Sequence, residues 1–331
     1  MSNNYLELND VKQLPSDSIS CIKWFTNKPS FFALSGWDGY FRIYKVDNSK
    51  IELINEIYFK CSIVDFIIRE DVNKVYLSTI DCKVFLISLN NNEFKEIVKN
   101  NEIICKLIHS TQKQMILGFE LGNKVRIWDY DGQEFNTIEL IDSIIHVDYE
   151  GGVICGILEN NKVFISNAYH VKSLEYLNTD IQTKVSAIKL RKSGQHLYVG
   201  GYDGSISSYE ITKKYNELKT IKLFTFDAHF RNLNNRNVWF PVNHLFIYET
   251  NSKHILFSSG ADGTVKIWDM ETGSIVNEIE HNIQALCLDY CNQTGFLVVG
   301  YGYDWNQGMH GLKDVKHSPC IRVYHIPSNS F

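Results

Sequence analysis

The chain has 331 residues, 44% of them hydrophobic and 21% charged, with a formal net charge of −5. That composition excludes a disordered chain, which would be poorer in apolar residues and richer in net charge. With 33 lysines and arginines against 38 aspartates and glutamates, it also excludes a whole-chain nucleic-acid binder, since displacing counterions from phosphates takes surplus positive charge; no direct sequence-specific nucleic-acid partner is expected. The 18 tyrosines, 19 phenylalanines and 6 tryptophans favour strands, whose pleated surface accommodates wide rings. No run of 18 apolar residues occurs, so no membrane association is expected. The eight cysteines (21, 61, 82, 105, 155, 287, 291 and 320) are scattered and mostly have apolar neighbours. None forms a C-x-x-C pair, which argues against a zinc knuckle or a redox couple. The opening Met1-Ser2-Asn3-Asn4-Tyr5 lacks a basic, then apolar, leader, so a reducing compartment with buried thiols is expected.

Taken in chain order, one unit recurs. Gly36-Trp37-Asp38-Gly39 opens the strand 40–44, and Asp81-Cys82 opens 83–87. Gly122-Asn123 opens 124–128, Asn160-Asn161 opens 162–166, Asp203-Gly204 opens 205–209, and Gly260-Ala261-Asp262-Gly263 opens 264–268. A seventh strand, 320–324, has the same tail without the Asp-Gly. Where the unit carries it, at 38–39, 203–204 and 262–263, the Asp-Gly pair reads as a tight turn, Gly taking positive φ and Asp bonding nearby backbone. The strands end at 44, 87, 128, 166, 209, 268 and 324, giving steps of 43, 41, 38, 43, 59 and 56 residues. A four-stranded propeller blade takes about 40–45 residues, so four steps are bare blades and two carry insertions, at 210–240 and 301–319. Apolar runs ending in small residues, such as Phe31-Phe32-Ala33-Leu34-Ser35 and His254-Ile255-Leu256-Phe257-Ser258, read as strands covered on both faces. Leu6-Glu7-Leu8 is placed to add the outer strand that closes the ring. The expectation is an all-β, seven-bladed β-propeller forming a single domain over 1–331, with very little helix.

The endings Ile127-Trp128-Asp129 and Ile267-Trp268-Asp269 resemble the WD-repeat family. A narrower resemblance rests on Leu14-Pro15-Ser16-Asp17-Ser18-Ile19 with Ser35-Gly36-Trp37-Asp38-Gly39, on Lys222-Leu223-Phe224-Thr225-Phe226-Asp227-Ala228-His229, and on Phe240-Pro241-Val242-Asn243 before Ser259-Gly260-Ala261-Asp262-Gly263. These segments are similar to the mitotic-checkpoint WD-repeat proteins first named from budding uninhibited by benomyl. Gly302-Tyr303-Asp304-Trp305-Asn306-Gln307-Gly308 is similar instead to their siblings, the nucleoporin-associated mRNA-export factors. Three of the four segments favour the checkpoint branch.

The resemblance implies a peptide-docking platform rather than a catalyst. Its partners would be a checkpoint kinase or its relative, which presents a GLEBS segment whose two glutamates meet basic residues, and a phosphorylated kinetochore scaffold. Trp37 matches a family Trp that touches the partner segment. Lys184 stands where the family has an Arg facing a partner glutamate, and Lys222 matches a phosphate-contacting Lys. Ser205 replaces an Arg expected to hold phosphate, and Leu121 replaces an expected Trp, which thins the groove. Arg231 and Arg236, in the first insertion, rank lower because their loop positions do not align; Trp305, in the second, ranks lower because a loop aromatic that can anchor a partner can equally pack on its own loop. Two runs around the fifth turn (Lys184, Lys189, Arg191, Lys192; then Lys213, Lys214, Lys219, Lys222) suggest a basic cluster for an acidic or phosphorylated partner.

Other residues read as structural: Trp128 and Trp268 as wedges between blades, Asp129 and Asp269 as acceptors within a blade, and His229 as a partner across a repeat turn. No G-x-S-x-G, Walker loop or H-E-x-x-H occurs, so no enzyme, cofactor or metal is expected. The functional expectation is a non-enzymatic spindle assembly checkpoint adaptor of the nucleus, at kinetochores in mitosis. The alternatives are an mRNA-export factor or a generic WD-repeat scaffold such as a ubiquitin-ligase receptor.

Overall fold

Seven four-stranded antiparallel sheets succeed one another along the chain and close into a ring, a seven-bladed propeller. The computed structural model describes residues 5–7, 13–47, 50–110, 114–167, 170–214, 217–250, 253–303, 319–327 and 330. Blades 1 to 6 cover 19–58, 63–99, 104–139, 144–178, 185–227 and 242–280. Blade 7 takes three strands from 285–325 and its fourth from Tyr5–Glu7, where Leu6 pairs with Val323. The two ends of the chain thus share one sheet, and ring closure removes the open edges of a flat array. Helical backbone among the described residues is confined to the 3₁₀ turn Glu70–Val72 and the 3₁₀ residue Ser330.

The first strand of every blade touches the first strands of both neighbours, so seven first strands surround a central channel. The second strands are the apolar runs: Met115–Glu120, Val153–Leu158 and His254–Gly260 are buried along their whole length. Adjacent blades cover both of their faces, which is why no polar alternation appears in their sequence. Trp128 packs among Ile67, Tyr76 and Leu86 of blade 2 and Ile104 of blade 3, and Trp268 among Tyr198 and Ile206 of blade 5. Both rings fill seams between blades. Gly118 makes room for one of them, because a Cβ there would lie 2.2 Å from the Trp128 ring.

The turn chemistry follows the sequence. Gly39, Gly204 and Gly263 have φ of 79°, 72° and 80°. The preceding aspartates accept backbone N–H groups two residues on, from Tyr40 at 3.2 Å, Ser205 at 3.1 Å and Thr264 at 3.0 Å. Asp129 and Asp269 accept in the same way from Asp131 (3.0 Å) and Glu271 (2.9 Å).

Blade 6 adds a buried relay. Trp268 Nε1–H donates to Ser258 Oγ (3.0 Å), Ser258 bonds His229 Nε2 (2.9 Å), and His229 Nδ1 meets Asp262 (3.1 Å). The carboxylate and indole at its ends fix the direction: His229 donates from Nδ1 and accepts at Nε2. Burial would raise the Asp262 carboxyl, but its bonds from His229 and Thr264 outweigh that and hold it below the usual carboxylate range.

The excess length at 210–240 resolves into two features. Ser205–Lys214 and Glu217–Asp227 form an overlong hairpin, and Phe230–Leu233 pairs with Arg236–Trp239 in a separate two-stranded sheet. That sheet turns through Asn234 and Asn235, both at positive φ as a type I′ turn requires. Most of the 301–319 insertion, including Trp305, lies outside the described residues.

Candidate peptide-docking site

A repeated hydrogen bond marks one position in every blade. The backbone N–H groups of Trp37, Ile80, Leu121, Glu159, Tyr202, Ala261 and Gly302 donate to the carbonyls of Ser18, Ser62, Ile103, Ser143, Lys184, Pro241 and Gln284, at 2.8–3.1 Å. Each donor follows the second strand, and each acceptor lies just before or at the start of the first strand. The seven donors therefore ring one end of the channel.

Each first strand also carries a bulge after its first residue, visible as a register shift. The extra residues are Ser20, Val64, Cys105, Ile145, Ser186, Asn243 and Leu286, and all seven line a mouth cavity of about 840 Å³. A bulge twists the strand and leaves one residue unpaired, which aims it away from the ladder. The mouth is apolar over much of its circumference. Trp37, Ile80, Leu121, Ile145 and Tyr202 line it, each 38–45% exposed. Contiguous exposed apolar side chains around a concavity are the signature of an interaction site.

Below the mouth the channel is charged. From blade 1 to blade 7 the first strands supply Lys23, Asp65, Lys106, Asp148, Lys189, His244 and Asp289. The sign alternates from blade to blade until blade 6. Seven is odd, so alternation must fail once, and it fails at a neutral histidine. Three aspartates join neighbouring blades. Asp65 takes Lys106 Nζ (3.1 Å) and the Leu107 N–H (2.8 Å), and Asp148 takes Lys189 Nζ (3.0 Å) and the Leu190 N–H (2.7 Å). Asp289 takes the Trp24 N–H (2.7 Å), while Lys23 donates to the Phe66 carbonyl instead.

Burial opposes ionisation of all three, but the lysines beside Asp65 and Asp148 outweigh it and keep those carboxyls below their ordinary range. Asp289 has no ammonium in hydrogen-bond contact, and burial pushes it up to about 6. Burial likewise pushes His146 down to about 4 and His244 to about 3. The three aspartates are paired across blades in the manner of structural ties. Among the described residues no group of three His, Cys, Asp or Glu side chains could hold a metal ion.

The expected site residues fall in different places. Trp37 and Lys184 belong to the mouth: Trp37 is a ring donor, and Lys184, exposed, lends its carbonyl to Tyr202. Leu121, where a Trp was expected, keeps the position apolar. Lys222 lies on the outermost strand of blade 5, across from Tyr209 on the blade 4 side, and pairs with Asp180 at 2.8 Å. Ser205 is buried and gives its hydroxyl to Asp203 at 2.7 Å.

Arg231 does not join Lys222. Its guanidinium bonds the Asp262 carbonyl on the blade 6 side, and Arg236 is exposed on the same hairpin. The basic cluster also divides. Val185–Leu190 is an extended strand, so Lys184 sits at the mouth, Lys189 is inside the channel, and Arg191 pairs with Glu249 at the far end. Sequence reading missed Ile80, Ile145 and Tyr202. Aligning the units on the residue after each second strand would have found Ile80 and Tyr202.

Comparison with known proteins agrees with this architecture. The family model for the WD domain, G-beta repeat, matches residues 222–269, the stretch that holds the His229–Asp262 relay. The Arabidopsis thaliana protein named Mitotic checkpoint protein BUB3.3 is 20% identical over 339 residues, spanning 98% of this chain and the whole of that protein.

Proposed function

We propose that this protein is a non-enzymatic adaptor of the spindle assembly checkpoint, acting in the nucleus and at kinetochores in mitosis. In this reading its channel mouth binds the GLEBS segment of a checkpoint kinase or its relative, and the complex is carried to a phosphorylated kinetochore scaffold. The observation that carries the proposal is the mouth itself, where Trp37, Ile80 and Leu121 form an exposed apolar arc and Lys184 stands opposite on blade 5. An extended segment laid across the mouth buries apolar side chains on the arc and sets a glutamate against Lys184. Full-length likeness to a protein named for the mitotic checkpoint supports the choice of pathway. Phosphate recognition falls to Lys222, because the Ser205 hydroxyl is committed to Asp203; a phosphothreonine would displace Asp180.

Affinity purification of the tagged chain from mitotic cells tests the reading. Recovery of a checkpoint kinase and a kinetochore scaffold is expected. Recovery of nuclear-pore components with neither of these would assign the protein to mRNA export, and recovery of ubiquitin-ligase subunits alone would make it a substrate receptor.

A further inference from the structure

We propose that the mouth selects a segment carrying a lysine or arginine over blades 3 and 4, next to apolar residues seated on Trp37, Ile80 and Leu121. The inference rests on reading the mouth as a peptide-docking site and adds a charge requirement to it.

The reason is an acidic sector on those two blades. Glu102 immediately precedes Ile103, whose carbonyl takes the Leu121 N–H. Its Cγ lies 3.8 Å from where a Gly122 Cβ would be. The Gly122 carbonyl accepts the Ile144 N–H, and Asp142 bonds the Ser143 N–H at 2.8 Å. The Ser143 carbonyl in turn accepts the N–H of Glu159, the ring donor of blade 4. Glu102, Asp142 and Glu159 are thus linked through continuous backbone contacts around Ile103 and Ile145, both of which line the mouth.

Among the described residues no cation is paired with them. Among the described residues none of the three carboxylates takes part in a salt bridge. Lys124, at the start of the third strand of blade 3, is engaged by Glu139 at 3.6 Å, and Lys99 ends the outermost strand of blade 2. Inside the mouth Lys106 is already matched by Asp65. The sector therefore faces solvent with three carboxylates beside an apolar floor, where field lines are focused and a like charge on the ligand is rejected. On blade 5 Lys184, whose carbonyl holds the ring donor Tyr202, is exposed and of the opposite sign. A segment with a cation over blades 3 and 4 and an anion over blade 5 fits in one direction only, so the charge pattern also sets the polarity of docking.

The test is fluorescence anisotropy of the full chain with short labelled peptides, in which Arg, Gln or Glu is scanned through an apolar segment. At the best position the Arg peptide is expected to bind about tenfold more tightly than the Glu peptide, with the gap shrinking as salt rises. The double variant Glu102→Lys/Glu159→Lys should reverse the order; both residues are exposed, and an unchanged melting temperature shows that the variant folds. Equal binding of Arg and Glu peptides, or an order that survives charge reversal, would overturn the inference while leaving peptide docking intact. Failure of every peptide to bind would remove the docking reading itself, and the charge requirement with it.

Discussion

Asp289 of blade 7 accepts the backbone N–H of Trp24 of blade 1 at 2.7 Å, so one carboxylate spans the seam where the ring closes. Trp24 returns a bond from Nε1 to the Asp289 carbonyl at 3.1 Å. Because burial raises this carboxyl to about 6, the folded state favours its protonated form. The stabilisation from protonation is therefore complete below the unfolded value near 3.8 and is lost as pH rises through 6. In urea unfolding, the stability of wild type relative to Asp289→Asn should rise by on the order of 2 kcal/mol as pH falls from 7 to 4. A constant difference across that range would show that the carboxylate is solvated.

His244 acts in the opposite direction. Burial first, then the charges of His146 and Lys189, lower it from 6.5 to about 3. A base with a lowered folded value stabilises above its unfolded value, and that contribution is lost as pH falls below 6.5. His146, pushed to about 4, adds to the same loss. Wild-type stability should fall between pH 6.5 and 4.5, and His244→Gln should flatten the decline. An unaltered slope in the variant would place the titration elsewhere.

The blade 6 relay makes a stability prediction with a location. Ser258→Ala leaves the Trp268 indole N–H and a buried His229 nitrogen without partners. Each orphaned group costs about 1–3 kcal/mol, so a loss of several kcal/mol is expected from calorimetry. Ser62→Ala, which removes a solvent-exposed bond from the Ser62 hydroxyl to the Trp37 carbonyl (2.7 Å), should cost less than about 1 kcal/mol. Similar losses in both variants would argue against a special role for the relay.

Lys222 and Asp180 form a half-exposed pair, and such pairs contribute little to stability. Removing the competing carboxylate with Asp180→Asn should leave the melting temperature unchanged and strengthen phosphopeptide binding a few-fold, while Lys222→Glu should abolish it. GLEBS-peptide affinity should be nearly unchanged in both. Parallel losses of the two activities in Lys222→Glu would contradict two separable sites.

The repeat made the architecture readable. Gly39, Gly204 and Gly263 announced their turns, Trp128 and Trp268 their seams, and Leu6 the closing strand, because each follows from local backbone chemistry or a period. The site was harder to see. Arg231 and Lys222 are nine residues apart, but the strand and hairpin between them deliver one to the blade 6 side and the other to the blade 4 side. Lys184 and Arg191 look like one cluster in the sequence, yet an extended strand carries them to opposite ends of the channel. The pairing of Lys106 with Asp65, and of Lys189 with Asp148, spans about 40 residues each and is set by ring order alone.

The central claim is that the channel mouth docks a peptide. Isothermal titration of the full chain with a GLEBS-segment peptide, in wild type and in Trp37→Ala, tests it most directly. Trp37 is 44% exposed, so its removal should leave folding intact. A buried aromatic anchor typically carries about 2 kcal/mol or more of binding energy, so saturable binding weakened at least about tenfold by the substitution is the result expected. Absence of binding to the wild type, or equal affinity in a folded Trp37→Ala variant, would contradict the claim.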